Sequence, residues 1–223
     1  MPIPRVMGDM LLLPTGDIII INGAELGVAG FDNGRVPITR PIIYRPSEDR
    51  FFIMSPSSKP RMYHSTAILL PDGRLLIGGS NAHIYYNFTN VDFPTDLSLE
   101  AYSPPYLSTT YRLFRPVILK VDEVLTHGGL FYLSFFVKQY LTSDVLMVQI
   151  FAPPFVTHSF SMKQRMIVLK IIKITHDNRG GRRDWFNVTA VGPSSAEIAP
   201  PGYYLIFVVH ASVPSSGAWV KIE

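Results

Sequence analysis

The sequence predicts an all-β chain: a partial β-propeller of about two kelch-type blades, followed by an immunoglobulin-like β-sandwich. Three observations carry this. An approximate repeat fills the first hundred residues, each copy reading strand, turn, strand. Seven short apolar runs then follow at sandwich spacing after Pro116. Nineteen prolines and sixteen glycines punctuate the short runs, and no stretch has convincing helical periodicity.

In the first copy, Met10–Leu13 and Ile18–Ile21 flank Pro14-Thr15-Gly16-Asp17. In the second, Ile68–Leu70 and Leu75–Ile77 flank Pro71-Asp72-Gly73-Arg74. Proline fixes one φ and glycine takes a positive one, which is the chemistry of a tight hairpin. Pro41–Tyr44 and Arg50–Met54 supply two more strands between the copies. Four short strands in about fifty residues is the size of one blade. Ala101–Leu107, with Pro104-Pro105, reads as a boundary, giving domains 1–107 and 108–223. Sandwich strands are expected near Val117–Val121, Leu130–Phe136, Val145–Phe151, Met166–Ile174, Trp185–Val191, Tyr203–Val209 and Ala218–Ile222. Ile167, Leu169 and Ile171 alternate, as in one strand with one buried face. Trp185 and Trp219 are expected in the sandwich core. Two blades do not close a ring, so an exposed apolar blade face and unpaired strand edges are also expected.

Composition excludes several functions. Hydrophobic residues make up 47% of the 223 residues and charged residues 17%, which supports a packed core rather than disorder. The net charge is +3, with basic residues scattered; the cluster Arg179–Arg183 reads as a solvated hairpin tip, and no nucleic-acid partner is expected. There is no cysteine, so disulfides, zinc–thiolate sites and cysteine nucleophiles are excluded. No apolar run is long enough to span a bilayer, and the first residues do not read as a signal peptide. Asn87-Phe88-Thr89 and Asn187-Val188-Thr189 nevertheless fit the N-glycosylation acceptor, weak support for a secreted ancestor.

Two polar stretches interrupt apolar, strand-like surroundings: Arg61-Met62-Tyr63-His64-Ser65 and Val156-Thr157-His158-Ser159. Together they offer two imidazoles and a phenol, a nitrogen and oxygen donor set that suits Cu(II). An isolated Tyr-His pair is ordinarily a strand-end pair bonded to backbone. His158 follows Pro153-Pro154 and reads as a loop residue. His83, His127, His176 and His210 read as structural or solvated. Arg5 and Arg61 read as braces of blade turns.

The segments Pro4–Met10, Arg61–Ser65, Leu70–Arg74, Thr157–Met162 with Gln164-Arg165, and Pro200–Tyr204 resemble, in joint order and spacing, the C-terminal part of the galactose oxidase and glyoxal oxidase family. These are the copper radical oxidases, and the likeness is greatest to the plant glyoxal-oxidase-like aldehyde oxidases. The resemblance implies a kelch-like propeller followed by an early-set immunoglobulin-like domain. It implies copper as cofactor, with Tyr63, His64 and His158 as metal ligands and Tyr63 also as catalytic base. It implies an aldehyde or primary alcohol as the small-molecule partner, O2 reduced to H2O2, and an extracellular or cell-wall location.

The family's second redox centre is a tyrosine joined to a cysteine by a thioether, and a chain without cysteine does not form it. The sequence therefore reads as a truncated family member that keeps candidate copper ligands and is expected to lack oxidase activity by itself. The alternative is a non-catalytic fragment acting as a folding or interaction module.

Overall fold

The computed structural model describes residues 1–158, 160–176 and 185–223, with the side chain of Asp144 left aside. The cluster Arg179–Arg183 and the turn residues Asp177-Asn178 lie outside the described residues. In chain order the first strands are β1 (Asp9–Leu12), β2 (Ile18–Ile21), β3 (Ala24–Gly27), β4 (Gly34–Pro37), β5 (Ile42–Arg45), β6 (Arg50–Ile53), β7 (Thr66–Leu69), β8 (Leu75–Gly78) and β9 (Leu99–Tyr102). Then come β10 (Val117–Val121), β11 (Val124–Leu125), β12 (Leu130–Phe136), β13 (Leu146–Ala152), β14 (Phe155–Thr157), β15 (Phe160–Met162) and β16 (Arg165–Leu169). The last are β17 (Ile171–His176), β18 (Trp185–Val191), β19 (Gly202–His210), β20 (Val213–Pro214) and β21 (Ala218–Ile222). Helical structure among the described residues is limited to three short 3-10 turns, and no helix is long and apolar enough to cross a membrane.

The strands form two compact units. One comprises Met1–Leu69, Leu75–Tyr102 and Pro154–Gln164; the other comprises Leu70–Arg74, Ser103–Pro153 and Arg165–Glu223. A single cut after residue 107 does not reproduce these units, for local reasons. In the second unit, the Gly217 N–H donates to Pro71 O at 2.7 Å and the Tyr106 hydroxyl donates to Gly73 O at 2.5 Å, so the turn 70–74 belongs there. In the first, Gln164 bonds to β1 from both ends of its amide. It accepts from Leu12 N–H at 3.1 Å and donates to Met10 O at 2.8 Å, which carries 154–164 into that unit.

The first unit holds the blade material. A meander β1-β2-β5-β6 makes one four-stranded antiparallel sheet, and β7-β8-β9 makes a three-stranded one. Both repeat hairpins close in the same way. Gly16 N–H donates to Leu13 O at 2.9 Å and Leu13 N–H to Asp17 O at 2.8 Å; Gly73 N–H donates to Leu70 O at 3.0 Å and Leu70 N–H to Arg74 O at 2.8 Å. Gly16 and Gly73 take φ of 85° and 86°, where a Cβ is strained. The hairpin β3–β4 and the strand β9 are additions to the sequence reading; Ala24–Gly27, Gly34–Pro37 and Leu99–Tyr102 are too short and mixed to carry a period. Phe51, Ile53, Leu97 and Leu99 are exposed on the outer strands of these sheets and the segment leading into β9.

The second unit is the sandwich. Its sheets run β10-β12-β18-β17 and β11-β21-β19-β13-β16, with β20 beside β19. Strand alternation sends Phe131, Leu133 and Phe135 of β12 and Phe186, Val188 and Ala190 of β18 inward, against Val148, Ile150, Tyr204, Ile206 and Val208. The expected strand Met166–Ile174 is in fact two. β16 pairs with β13 in one sheet and β17 with β18 in the other, with the break at Lys170. Leu169 is a buried core residue, while Ile167, Ile171 and Ile174 pack against the same core; the register of β17 shifts between Ile171 and Lys173, so strict alternation does not extend across the run. Trp185 and Trp219 are not core residues. Trp219 is 50% exposed, and β18 parity buries Phe186 in place of Trp185.

Two charged groups brace the first unit. Arg61 is 2% exposed. Its Nε donates to Glu100 Oε2 at 3.0 Å, one terminal nitrogen donates to Gly79 O at 2.8 Å and Ser98 O at 3.1 Å, and the other donates to Ser98 Oγ at 3.2 Å. Asp96 lies 3.7 Å from the guanidinium; the Ser98 hydroxyl above all, with Lys59 and Arg61, holds its carboxyl well below the usual range. Arg5 donates to Asn22 O and, at 2.9 Å, to Arg40 O, and burial pushes it down to about 10. Asn22 Nδ2 in turn donates to the buried Asp9 carboxyl at 2.8 Å. Burial pushes Asp9 up to about 6 against the downward pull of that bond.

Arg61→Met is expected to destabilise the first unit by about 3–5 kcal/mol, because Glu100 and two carbonyls lose their donor in a desolvated site; urea unfolding at neutral pH measures it. For Asp9 the folded pKa of about 6 exceeds the unfolded 3.8. Its stability contribution is therefore complete below the unfolded value and is lost as pH rises through about 6. Asp9→Asn should flatten the stability profile between those values and raise stability above pH 6, by up to about 3 kcal/mol. An unchanged slope of unfolding midpoint against pH would exclude the ionisation of Asp9 as its origin.

Candidate metal centre

Tyr63, His64 and His158 all lie within the first unit. Tyr63 and His64 occupy the turn before β7, closed by the Ser65 N–H donating to Met62 O at 3.1 Å and by the Ser65 hydroxyl donating to the same carbonyl at 2.7 Å. Backbone bonds pin this turn at each step. Gly23 N–H donates to Arg61 O at 2.7 Å, Met62 N–H to Ser80 Oγ at 3.0 Å, and Asn81 N–H to Tyr63 O at 2.8 Å. Gly79 is required here, since a Cβ on it would lie 2.9 Å from His64 O. The arginine that braces the sheet through its guanidinium thus holds the turn through its own backbone.

His158 follows β14 and opens the connection to β15. His64 and His158 adopt φ of 59° and 49°, a left-handed conformation uncommon for residues other than glycine and worth noting at two candidate ligands. Thr157 Oγ1 lies 2.8 Å from His158 Nδ1. With that nitrogen donating to the hydroxyl, Nε2 keeps a free lone pair, the usual arrangement of a ligating histidine.

The three rings come together. Centroids of His64 and His158 are 5.5 Å apart, those of Tyr63 and His64 are 4.0 Å apart, and those of Tyr63 and His158 are 6.1 Å apart. With metal–nitrogen bonds of about 2 Å, two imidazoles sharing one metal hold their centroids roughly 4.5–6.5 Å apart. The histidine pair falls in this range, and the donor set of two imidazoles and a phenol fits Cu(II). Among the described residues no group of three or more His, Cys, Asp or Glu is arranged to hold a metal.

Several residues around the cluster carried no site signal in the sequence. Phe31, on the loop between β3 and β4, packs edge-on against Tyr63 at 5.1 Å and lies 5.3 Å from His64. That loop is tied down by Asp32 N–H donating to Ala82 O at 2.7 Å and by the Asp32 carboxylate 2.5 Å from His83 Nδ1. His83 Nε2 lies 2.9 Å from Asp92 O. Gln164 fixes the other end of the hairpin that carries His158. A cleft of about 510 Å3 opens beside His64, lined also by Phe31, Ser80, Asn81, Tyr85 and Thr95.

His127 and His210 bond to backbone, while His176 packs its ring against Tyr140 and Phe186. His127 Nε2 bonds Ala199 O at 2.8 Å. His210 accepts from Leu141 N–H through Nε2 at 3.1 Å, so its Nδ1 donates to Phe114 O at 3.2 Å. Burial lowers its pKa, consistent with this neutral ring.

Comparison with known proteins gives consistent results along the chain. The family model described as glyoxal oxidase N-terminus matches residues 1–106, and the one described as galactose oxidase-like, early set domain, matches 115–222. The chain is 42% identical over 225 residues to aldehyde oxidase GLOX of Vitis pseudoreticulata, covering all of this chain and 42% of that protein. It is 42% identical over 228 residues to aldehyde oxidase GLOX1 of Arabidopsis thaliana, covering all of this chain and 36% of that one. It is 30% identical over 222 residues to galactose oxidase of Gibberella zeae, covering 98% and 29%. A solved fungal alcohol oxidase in complex with copper shares the fold, with a TM-score of 0.72 at 23% identity over 96% of this chain and 42% of its own. The chain thus spans well under half the length of these relatives. Two successive family models and relatives matched from end to end give one conclusion: the chain belongs to the galactose oxidase and glyoxal oxidase family, the copper radical oxidases.

Proposed function

We propose that Tyr63, His64 and His158 form a copper site, and that this chain carries the copper half of a two-centre oxidase. The observation that carries the reading is the approach of the two imidazoles, 5.5 Å between centroids, with the Tyr63 ring against His64. Copper bound there would supply one-electron redox chemistry. The protein's part is to hold it. His64 and His158 donate ring nitrogens, and the Tyr63 phenol donates an oxygen that can also take a proton from a substrate hydroxyl. Phe31 limits the freedom of the Tyr63 and His64 rings, and the cleft beside them has room for a small molecule.

The substrate class is an aldehyde or primary alcohol. Its support is the likeness to the plant relatives, which are aldehyde oxidases. Oxidising such a substrate removes two electrons, and one copper accepts one. This chain has no cysteine from which to build a thioether-linked tyrosine. Its own residues therefore account for copper binding and proton acceptance, and full turnover needs a second one-electron centre. All three residues belong to one compact unit, to which the stretch before residue 107 brings Tyr63-His64 and residues 154–164 bring His158. We further infer an extracellular or cell-wall location, in line with the two glycosylation triplets.

Copper titration followed by electron spin resonance tests the reading. A tetragonal Cu(II) signal is expected, with no tyrosyl radical. His64→Ala and His158→Ala should each weaken binding by more than the roughly 10–100-fold that an outer-shell partner costs. Aldehyde should release no catalytic peroxide above the His158→Ala control. Affinity unchanged in both variants would remove the site; a radical signal or catalytic peroxide from this chain alone would remove the need for a second centre.

Gln164 gives a separate check. Gln164→Ala frees one end of the β14–β15 hairpin from β1, so protease cleavage within 154–164 should quicken and copper affinity should fall by about tenfold, as for other outer-shell supports. His64→Ala should leave that cleavage rate unchanged.

A further inference from the structure

The sandwich carries an open groove of about 450 Å3 on the outer face of the sheet β10-β12-β18-β17. Its floor is set by strand register. Lys120 pairs with Ser134, Ser134 with Asn187, and Asn187 with Thr175, making one polar row across four strands. The neighbouring row pairs Tyr132 with Thr189 and Thr189 with Lys173. Asn187-Val188-Thr189 is one of the two glycosylation triplets, and here it lies within a strand. Val188 is buried in the core, so period two sends Asn187 and Thr189 together to the outer face. Tyr132 is 58% exposed and is the diagonal cross-strand neighbour of Asn187, about 7–8 Å away in such a pair.

An exposed tyrosine ring beside an acceptor asparagine, with two lysines at the groove's ends, is suited to a sugar. The ring offers an apolar face with a polar tip, and the ammonium groups donate to hydroxyl and acetamide oxygens. We propose that Asn187 carries an N-linked glycan and that this groove, with Tyr132 as its platform, holds the first N-acetylglucosamine units. In the transfer, Asn187 Nδ2 bonds to the anomeric carbon of the sugar. The sugar–phosphate bond of a lipid-linked diphosphate donor breaks, the lipid diphosphate leaves with the electron pair, and one amide proton is lost. The glycan then covers a sheet face that would otherwise stand open to solvent. The other triplet, Asn87-Phe88-Thr89, lies on an exposed loop of the first unit.

The inference rests on the extracellular reading above, and a secretion leader separates the two. The full chain is secreted behind a leader from a eukaryotic host, then treated with a glycan-releasing amidase in 18O water and mapped by mass spectrometry. Labelled aspartate at position 187, lost in Thr189→Ala, is expected. Thermal midpoints are then compared between this glycosylated chain and the same chain made in bacteria. Tyr132→Ala should lower the midpoint more in the glycosylated chain, and Tyr132→Phe should not. Label at position 87 with Asn187 bare overturns the site. An equal Tyr132→Ala shift in both preparations overturns the groove as the glycan's cradle. Because the leader is supplied, Asn187 left bare behind it overturns the site and leaves the extracellular reading standing.

Discussion

The buried guanidinium of Arg61 is the interaction on which the candidate site depends. A cation at 2% exposure is tolerable only with a full set of acceptors, and Glu100, Ser98, Gly79 and the nearby Asp96 supply them. These acceptors come from β9, from the segment leading into it, and from the residue after β8. The side chain therefore locks three neighbouring pieces of one sheet. The next residues along the chain are Met62, Tyr63 and His64, so the rigidity of one side chain is handed directly to the candidate ligand pair.

From that fixed point the candidate metal centre is built by constraint on each side. The turn Met62–Ser65 sets the direction of Tyr63 and His64, and Gly79 makes room for the His64 carbonyl. Phe31 bears on both rings from a loop that Asp32 and His83 hold in place. On the far side His158 stands at the tip of a hairpin whose base is anchored by Gln164 to the edge of β1. Neither histidine sits in a relaxed backbone region, with φ of 59° and 49°.

Much of the scaffold was legible in the sequence. The two turns Pro14–Asp17 and Pro71–Arg74 repeat the same chemistry and close with the same bonds. The strands Val117–Val121, Leu130–Phe136, Trp185–Val191 and Ala218–Ile222 have the bounds their apolar runs suggest. What failed was parity. In 166–174 the apolar residues read as one alternating strand, yet Ile167 and Leu169 serve one sheet and Ile171 and Ile174 the other. Composition alone does not say which face a tryptophan takes, and a shift of one residue exchanged Trp185 for Phe186 in the core. The candidate ligands were legible because Tyr-His and Thr-His carry recognisable donors. Phe31 and Gln164 were not, because a single phenylalanine or glutamine has no local signal for what it will touch.

The sequence by itself determined the all-β class, the repeat turns, the family, the donor types at Tyr63, His64 and His158, and the lack of a cysteine. Each of these is a local property of residue identity and spacing. Only the tertiary structure decided that His64 and His158 approach to 5.5 Å, that 154–164 packs with β1 and β7 while 70–74 packs with Tyr106 and Gly217, and that Asn187 shares a groove with Tyr132. These facts depend on pairing between residues far apart in the chain. Such pairing is set by which strand edges and buried groups find partners, and no window along the sequence contains it.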